Sequence, residues 1–360
     1  MTSKERLRRC YFHEELDRPG VYFRTGYPGD DPTYEQVRAY IDRHTDLKST
    51  WNTPLARLPY PVESYVEPVS QDWQRKVEIL HTPAGPLRAT HLHSLKGLPG
   101  MQKEHFLKSA EDAEKYLSLP LPEFRGQADS FFRQVKEMGD RGIVEAPLGP
   151  NPAGLVANLF GSETFALLSV TDRPVLHALC RRQMEINLRR LKCYLELGVG
   201  PYFQMAGEEF CVPPLHGPRD FRDFNYQYDK PVVDLIHESG GRIHIHCHGS
   251  IRKVFPHFVE MGVDVLHPIE PPPMGDLPAG EAKELAAGKI TIEGNIQIAH
   301  MYEHAPQQVR QEAEQLIADA FGDRRGLIVC PTASLYQRGK GAECFQQCKA
   351  MIDAVLDWKT

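Results

Sequence analysis

The segment GRIHIHCHGS, residues 241–250, places His244, His246, Cys247 and His248 within five positions. Imidazole and thiolate are the donors that a borderline-soft divalent ion such as Zn²⁺ prefers, although the same residues also pack in strands as ordinary core. Side chains alternate along an extended segment, so His246 and His248 are expected on one face and Cys247 on the other. His244 shares the face of the two other histidines roughly 6.5 Å further along, the place of an interior polar residue or a supporting partner. A second β-rich run, GLIVCPTA (326–333), carries Cys330 near its end. The expected metal set is therefore His246, His248 and Cys330, with an acidic residue or solvent completing the coordination.

Further polar residues stand at the ends of other β-rich runs: Glu145 in GIVEAP, Glu208 and Glu209 in MAGEEF, Glu270 in LHPIEP, and Glu293 and Asn295 in TIEGNI. Adjacent carboxylates repel one another unless a metal or hydrogen-bond donors lie close, which makes Glu208 and Glu209 catalytic candidates. Glu209, or else Glu208, is the candidate for a displaceable fourth ligand. Glu270 and Asn295 are expected to orient the substrate, and Glu145, Glu293 and His216, in PPLHGP, to contact it. His216 also reads as a loop residue without a role.

Something must hold these residues at one place. In the second half of the chain, runs at 199–207, 242–249, 263–271, 289–296 and 326–333 alternate with helical segments. After residue 300, Val309, Ala313, Leu316, Ile317, Ala320 and Phe321 repeat at helical spacing, and Gly322 follows them. In the last helix Phe345, Cys348, Ile352, Val355 and Leu356 do the same, so Cys348 is expected in the core and CFQQC (344–348) carries no ligand signal. Strand–helix units of this length imply parallel strands in a barrel or a doubly wound sheet. The first half adds weaker strands at GVYFR (20–24) and GIVEAP (142–147), and KVEILHTPAGPLRATHLHS (76–94) reads as two strands around a Pro-Ala-Gly turn. No repeat or linker divides the chain, and 360 residues suit one decorated α/β barrel. In such a barrel the active site gathers at the C-terminal ends of the strands, where the polar residues above would stand.

Composition narrows the choice of partners. The 42 basic and 48 acidic residues are mixed along the chain and sum to −6, without the basic stripe that tracks a phosphate backbone, so nucleic acid is not an expected partner. The chain has no run of about 18 apolar residues, and charges occupy the start MTSKERLRRC, so neither a membrane span nor a secretory leader is expected. A cytoplasmic protein with reduced thiols fits eight scattered cysteines. No GxGxxG fingerprint, P-loop or G-x-S-x-G elbow supports nicotinamide, nucleotide or serine-hydrolase chemistry.

TPAGPLRAT, FLKSAEDAEKYLSLPLPE, GPRDFRDFNYQYDKPVVDLIHESGGRIHIHCHGS, GVDVLHPIEPPPMGD and TIEGNI, in that order, resemble the uroporphyrinogen decarboxylase superfamily over nearly the whole chain, from about residue 18 to 358. The superfamily also holds the zinc-dependent methyltransferases that act on methylcorrinoid proteins, such as the methanol and methylamine coenzyme M methyltransferases. The resemblance implies a single-domain (β/α)8 TIM barrel over 1–360, with an N-terminal extension at 1–18 and the β-hairpin excursion in the first half. It also implies a zinc site. The methyltransferase branch carries a His-x-Cys-Gly motif and a later cysteine; here His246-Cys247-His248-Gly249 puts His248 at the first cysteine's position, and Cys330 matches the later one. One thiolate fewer leaves a bound zinc more Lewis acidic. The decarboxylase branch is less similar. Of its arginine-rich substrate-gripping segment only Arg24 stands here, beside Asp30 and Asp31, and Cys330 replaces its late histidine.

The expected function is a zinc-dependent transfer of a methyl or small alkyl group from a methylated corrinoid protein or similar donor to a thiol-type acceptor. The zinc would hold the acceptor as thiolate, and the thiolate would attack the carbon. The chain shows no cobalamin-binding motif, so the resemblance implies a corrinoid carried by a separate partner protein. Two rivals stand beside this reading: metal-free decarboxylase or lyase chemistry, in which histidines and carboxylates move protons, and a non-catalytic barrel that holds a metal or corrinoid.

Overall fold

The computed structural model describes residues 1–24, 26, 28–52, 55–57, 62–96 and 100–359. Eight parallel strands form one curled sheet: β1 (Gly20–Val21), β2 (Leu47–Thr50), β3 (Gly142–Pro150), β4 (Tyr202–Ala206), β5 (Arg242–His246), β6 (Val265–His267), β7 (Thr291–Ile296) and β8 (Leu327–Pro331). Their order is β1-β8-β7-β6-β5-β4-β3-β2. The two edges meet at Asp46, whose N–H donates to the Val21 carbonyl at 2.8 Å while its Oδ2 accepts the Val21 N–H at 2.9 Å. This is the TIM-barrel architecture that the family resemblance implies, and it decides between the barrel and the doubly wound sheet that the strand–helix alternation left open.

Helices cover the outside, among them Glu35–His44, Asp129–Met138, Arg173–Glu196, Gln227–Glu238, Phe255–Met261, Ala279–Ala286, Pro306–Ala320 and Gly341–Leu356. Their apolar stripes seal the barrel: Val309, Ala313, Leu316, Ile317 and Ala320 on one, and Cys348, Ile352 and Val355 on the last, are buried. Leu356 ends that helix 37% exposed, outside the stripe expected of it. At about 1.5–3 kcal/mol for each fully buried large side chain, this shell is the main stabilising term. Gly142 is required at the start of β3, because a Cβ there would stand 1.8 Å from the Leu47 carbonyl oxygen of β2.

The first helix, α1 (Ser3–Tyr11), closes the N-terminal end of the barrel. Thr291 Oγ1, at the start of β7, donates to the Cys10 carbonyl at 2.5 Å, and Arg6 bonds Asp46 at 2.7 Å. Tyr11 reaches further in, its hydroxyl 2.5 Å from Glu145 Oε1. The N-terminal extension is thus part of the barrel's closure.

Between β2 and β3 the chain makes a four-stranded antiparallel sheet from Val62–Pro68, Trp73–Thr82, Gly85–Ser94 and Met101–Glu104. The expected hairpin is its centre, with Thr82 paired to Gly85 across the turn. Leu80 and Leu87 anchor it in a second apolar cluster with Val156, Phe160 and Leu176.

Candidate active site at the barrel mouth

The barrel interior is polar through much of its depth. Lys48 on β2 is 1% exposed at its side chain and pairs with Glu293 Oε2 of β7 at 2.5 Å. It also lies 4.7 Å from the centroid of the Tyr22 ring. Opposite, Glu145 Oε1 on β3 lies 2.9 Å from His244 Nδ1 of β5. Burial pushes the Glu145 carboxyl up, but Lys48 and His244 outweigh it and hold the group down at about 2. Burial opposes the charge on Lys48, and Glu145 and Glu293 outweigh it, so the ammonium is kept. Glu145 and Glu293, expected to touch substrate, are 3% and 0% exposed and form an ionic floor beneath the mouth.

Above that floor the donors converge. His267, the last residue of β6, stands beside His246, the last of β5, in the sheet register. Their Nδ1 atoms are 2.9 Å apart and the rings stack at 5.0 Å between centroids. His267 Nε2 is 3.0 Å from the Pro331 carbonyl oxygen, which fixes the proton on Nε2 and leaves Nδ1 as a lone pair. His267, Glu293 and Cys330 each place a ligand atom within 4.8 Å of the others', and all three residues are buried. Glu293 Oε1 has no hydrogen-bond partner. Burial, with Arg24 next in weight, holds His246 down at about 2 and His267 well below its usual value, so both imidazoles are in the neutral, donor-competent form. Burial pushes the Cys330 thiol up, and Glu293 adds to the push.

Two neutral imidazoles, a thiol and a carboxyl oxygen with a free lone pair match the donors that zinc takes. A cation already marks the spot: Arg24 Nη1 lies 3.0 Å from His246 Nδ1 and 3.1 Å from His267 Nδ1. The residues present therefore fit a divalent ion, provided the Arg24 side chain swings aside. Arg24 follows the last residue of β1 by three positions and is only half-buried.

The other expected residues occupy distinct places. β5 ends at His246, so strict alternation does not continue to His248. The His248 ring lies edge-on to His246 at 4.7 Å, 37% exposed at its side chain, and its Nδ1 is 3.2 Å from Glu270 Oε1. Glu270 also accepts the Gly249 N–H at 2.9 Å. Burial raises its carboxyl, and those two partners outweigh it, so Glu270 is held low. Cys247, just past the end of β5, is fully buried in the apolar core. Asn295 is half-buried at the end of β7 and lines a cavity outside the mouth.

After β4 the chain turns at Gly207, with φ 122°, into the Glu208–Cys211 turn. Glu208 is fully buried with neither carboxyl oxygen partnered, and burial followed by Asp229 and Glu209 pushes it well up. Asp229, whose Oδ2 accepts from Asn151 at 3.2 Å, is pushed by burial to about 8. This carboxyl pair sits behind the mouth. Glu209, also raised by burial, is the member close enough for His248 to oppose that rise. His216 is 2% exposed, packs 5.0 Å from the Phe165 ring, and has no partner on either nitrogen.

Sequence reasoning passed over His267, Lys48 and Tyr11. A histidine at the end of a strand, one strand along from His246, was the available signal for the first. The other two had none, since LKST does not read as a strand and Tyr11 lies in the extension.

Comparison with a solved structure agrees with this architecture. A methyltransferase from Methanosarcina mazei superposes with a TM-score of 0.63 at 13% identity, covering 99% of both chains. A D-psicose 3-epimerase from Clostridium cellulolyticum H10, solved with D-tagatose, aligns at a TM-score of 0.34 and 11% identity over 68% of this chain and 90% of its own. No curated protein sequence matches the chain. The uroporphyrinogen decarboxylase (URO-D) family profile matches residues 126–357, more than half the chain and all of β3 to β8. With the barrel and the sequence match in agreement, the chain belongs to the uroporphyrinogen decarboxylase (URO-D) family.

Proposed function

We propose that the protein is a zinc-dependent methyl or small-alkyl transferase with its site at the barrel mouth. The observation that carries this reading is a pair of contacts sharing His267: its ligand atom lies within 4.8 Å of those of Glu293 and Cys330, and its Nδ1 is 2.9 Å from that of His246. The proposed ligands are His246, His267 and Cys330, with Glu293 as the fourth; His248 supports the rim through Glu270. Bound zinc would supply the Lewis acidity that keeps an acceptor thiol as thiolate at neutral pH.

The chain's own residues do the rest. The Pro331 carbonyl orients the His267 ring, and Lys48 neutralises Glu293 so that a carboxylate can stand in a dry interior. Glu209 and Glu270, on the rim beside His248, are placed to orient the acceptor and to receive its proton. Arg24, released from the two imidazoles, is the group that would hold an anionic part of the substrate. The donor in this reading is a methylated corrinoid carried by a separate protein, as the family resemblance implies; the Methanosarcina methyltransferase likeness agrees with that class without naming the substrate. Zinc loading followed by assay with a methylated corrinoid protein and a panel of thiols tests the reading. Methyl transfer that a chelator stops and Cys330→Ser abolishes is the expected result.

One observation favours a second reading. The Arg24 guanidinium held between two neutral imidazoles is also an anion receptor with proton carriers beside it, suited to metal-free decarboxylation. Activity on a carboxylic acid that survives chelation and Cys330→Ser would favour it.

A further inference from the structure

Outside the barrel mouth, His300 and His304 stand one helical turn apart, at the start of the helix His300–Glu303 and just past its end. Spacing of i and i+4 brings both rings to one side. They stack with centroids 3.8 Å apart and planes at 16°. Each directs its Nδ1 at a different oxygen of the same carboxylate, His300 to Glu312 Oε2 and His304 to Glu312 Oε1, both at 2.8 Å. Glu312 comes from the following helix, Pro306–Ala320, so two elements supply the three groups. The three ligand atoms lie within 4.8 Å of one another.

A cavity of about 310 Å³ adjoins this group, lined by His300 and Glu312 together with Asn295, Gln297, Gln315 and Asp319. Gln297, which also lines the cavity, is 7% exposed.

We propose that His300, His304 and Glu312 form a second metal site, free of sulfur, for a divalent first-row transition metal ion. Two imidazoles and one carboxylate are a facial set that leaves coordination positions open. The cavity has room for the water or small anion that fills them. Ligands about 2.0–2.1 Å from a tetrahedral ion stand roughly 3.3 Å apart, so the side chains must spread by about half an ångström from their present 2.8 Å contacts. Their side-chain exposures of 29%, 33% and 30% leave them free to do so. The site shares no residue with the barrel-mouth set, and its existence does not depend on the proposed transferase function.

The test uses the full-length chain with Cys330→Ser in place, which disables the sulfur-bearing site. Zinc bound after equilibrium dialysis is counted by elemental mass spectrometry, and Co²⁺ is used as a visible-absorption probe. The expected result is one zinc per chain in Cys330→Ser, with Co²⁺ absorption that lacks a thiolate charge-transfer band. His300→Ala and, separately, Glu312→Gln added to that background should weaken this binding at least about tenfold. Glu312→Gln keeps two hydrogen-bonding groups at the position, so it preserves the fold even if His300→Ala does not. No zinc bound in Cys330→Ser, or a zinc that both added substitutions leave in place, overturns the proposal.

Discussion

Replacing Lys48 by Met removes the cation of the barrel floor while keeping a linear side chain of similar length. The ammonium is 1% exposed, pairs with Glu293 at 2.5 Å, and is the main partner that holds Glu145 ionised. Its removal leaves Glu293 and Glu145 as buried carboxylates, the second still paired with His244 at 2.9 Å. Breaking a buried pair from one side costs about 3–5 kcal/mol, because the desolvation of the remaining charge is no longer offset. For a chain of this length, unfolding entropy of about 2.1 cal/mol/K per residue converts that into a melting temperature lower by about 4–7 °C. Thermal unfolding followed by circular dichroism at pH 7 reads the shift directly. Lys48→Met combined with Glu293→Gln should recover more than half of it, since the uncompensated charge is then gone. A single variant that melts within about 1 °C of the native chain would refute the ionic floor.

Other consequences follow from the same geometry. Asp229 has its carboxyl pushed by burial to about 8, above its unfolded value near 3.8, so between these limits the folded chain holds a proton that the unfolded chain has lost. Stability therefore falls as pH rises from about 4 to 8, by up to about 1.4 kcal/mol per unit from this group. Asp229→Asn should flatten the melting-temperature profile over that range, and an unchanged slope would count against the buried acid. Tyr11→Phe removes a hydroxyl donated to a charged carboxylate and should cost about 1.5–3 kcal/mol in urea unfolding with the m-value unchanged; a change under about 0.5 kcal/mol would mean that α1 does not lock the barrel floor. Arg24→Met takes the resident cation from between His246 and His267 and should tighten zinc binding at the mouth, whereas weaker binding would make Arg24 a support of the site and not its competitor.

Strands β4 to β8 were legible because short β-rich runs give way to polar or turn residues, and helical segments separate them. β2 was not, because its sequence, Leu47-Lys48-Ser49-Thr50, carries a lysine that faces inward and pairs across the barrel, an arrangement with no apolar alternation to reveal it. The hairpin in the first half showed through its Pro-Ala-Gly turn. Its flanking strands did not, since Val62–Pro68 is exposed along nearly its whole length and carries no buried face. The strand-end positions of His246 and Cys330 were legible, and the structure has both residues there. His267 carries the same strand-end signal one strand along, but nothing local shows that its Nδ1 will meet that of His246. Alternation also holds only as far as the strand does, and β5 ends two residues before His248.

The most direct test of the central claim is Co²⁺ substitution with absorption spectroscopy, because a thiolate-to-Co²⁺ charge-transfer band reports only a metal bound through a cysteine and ignores any sulfur-free site. The native chain should show the band. His246→Ala, His267→Ala and Cys330→Ser should each abolish it, while His248→Ala should keep it. A band that vanishes in His248→Ala and persists in His267→Ala, or a native chain that never shows one, would contradict the account.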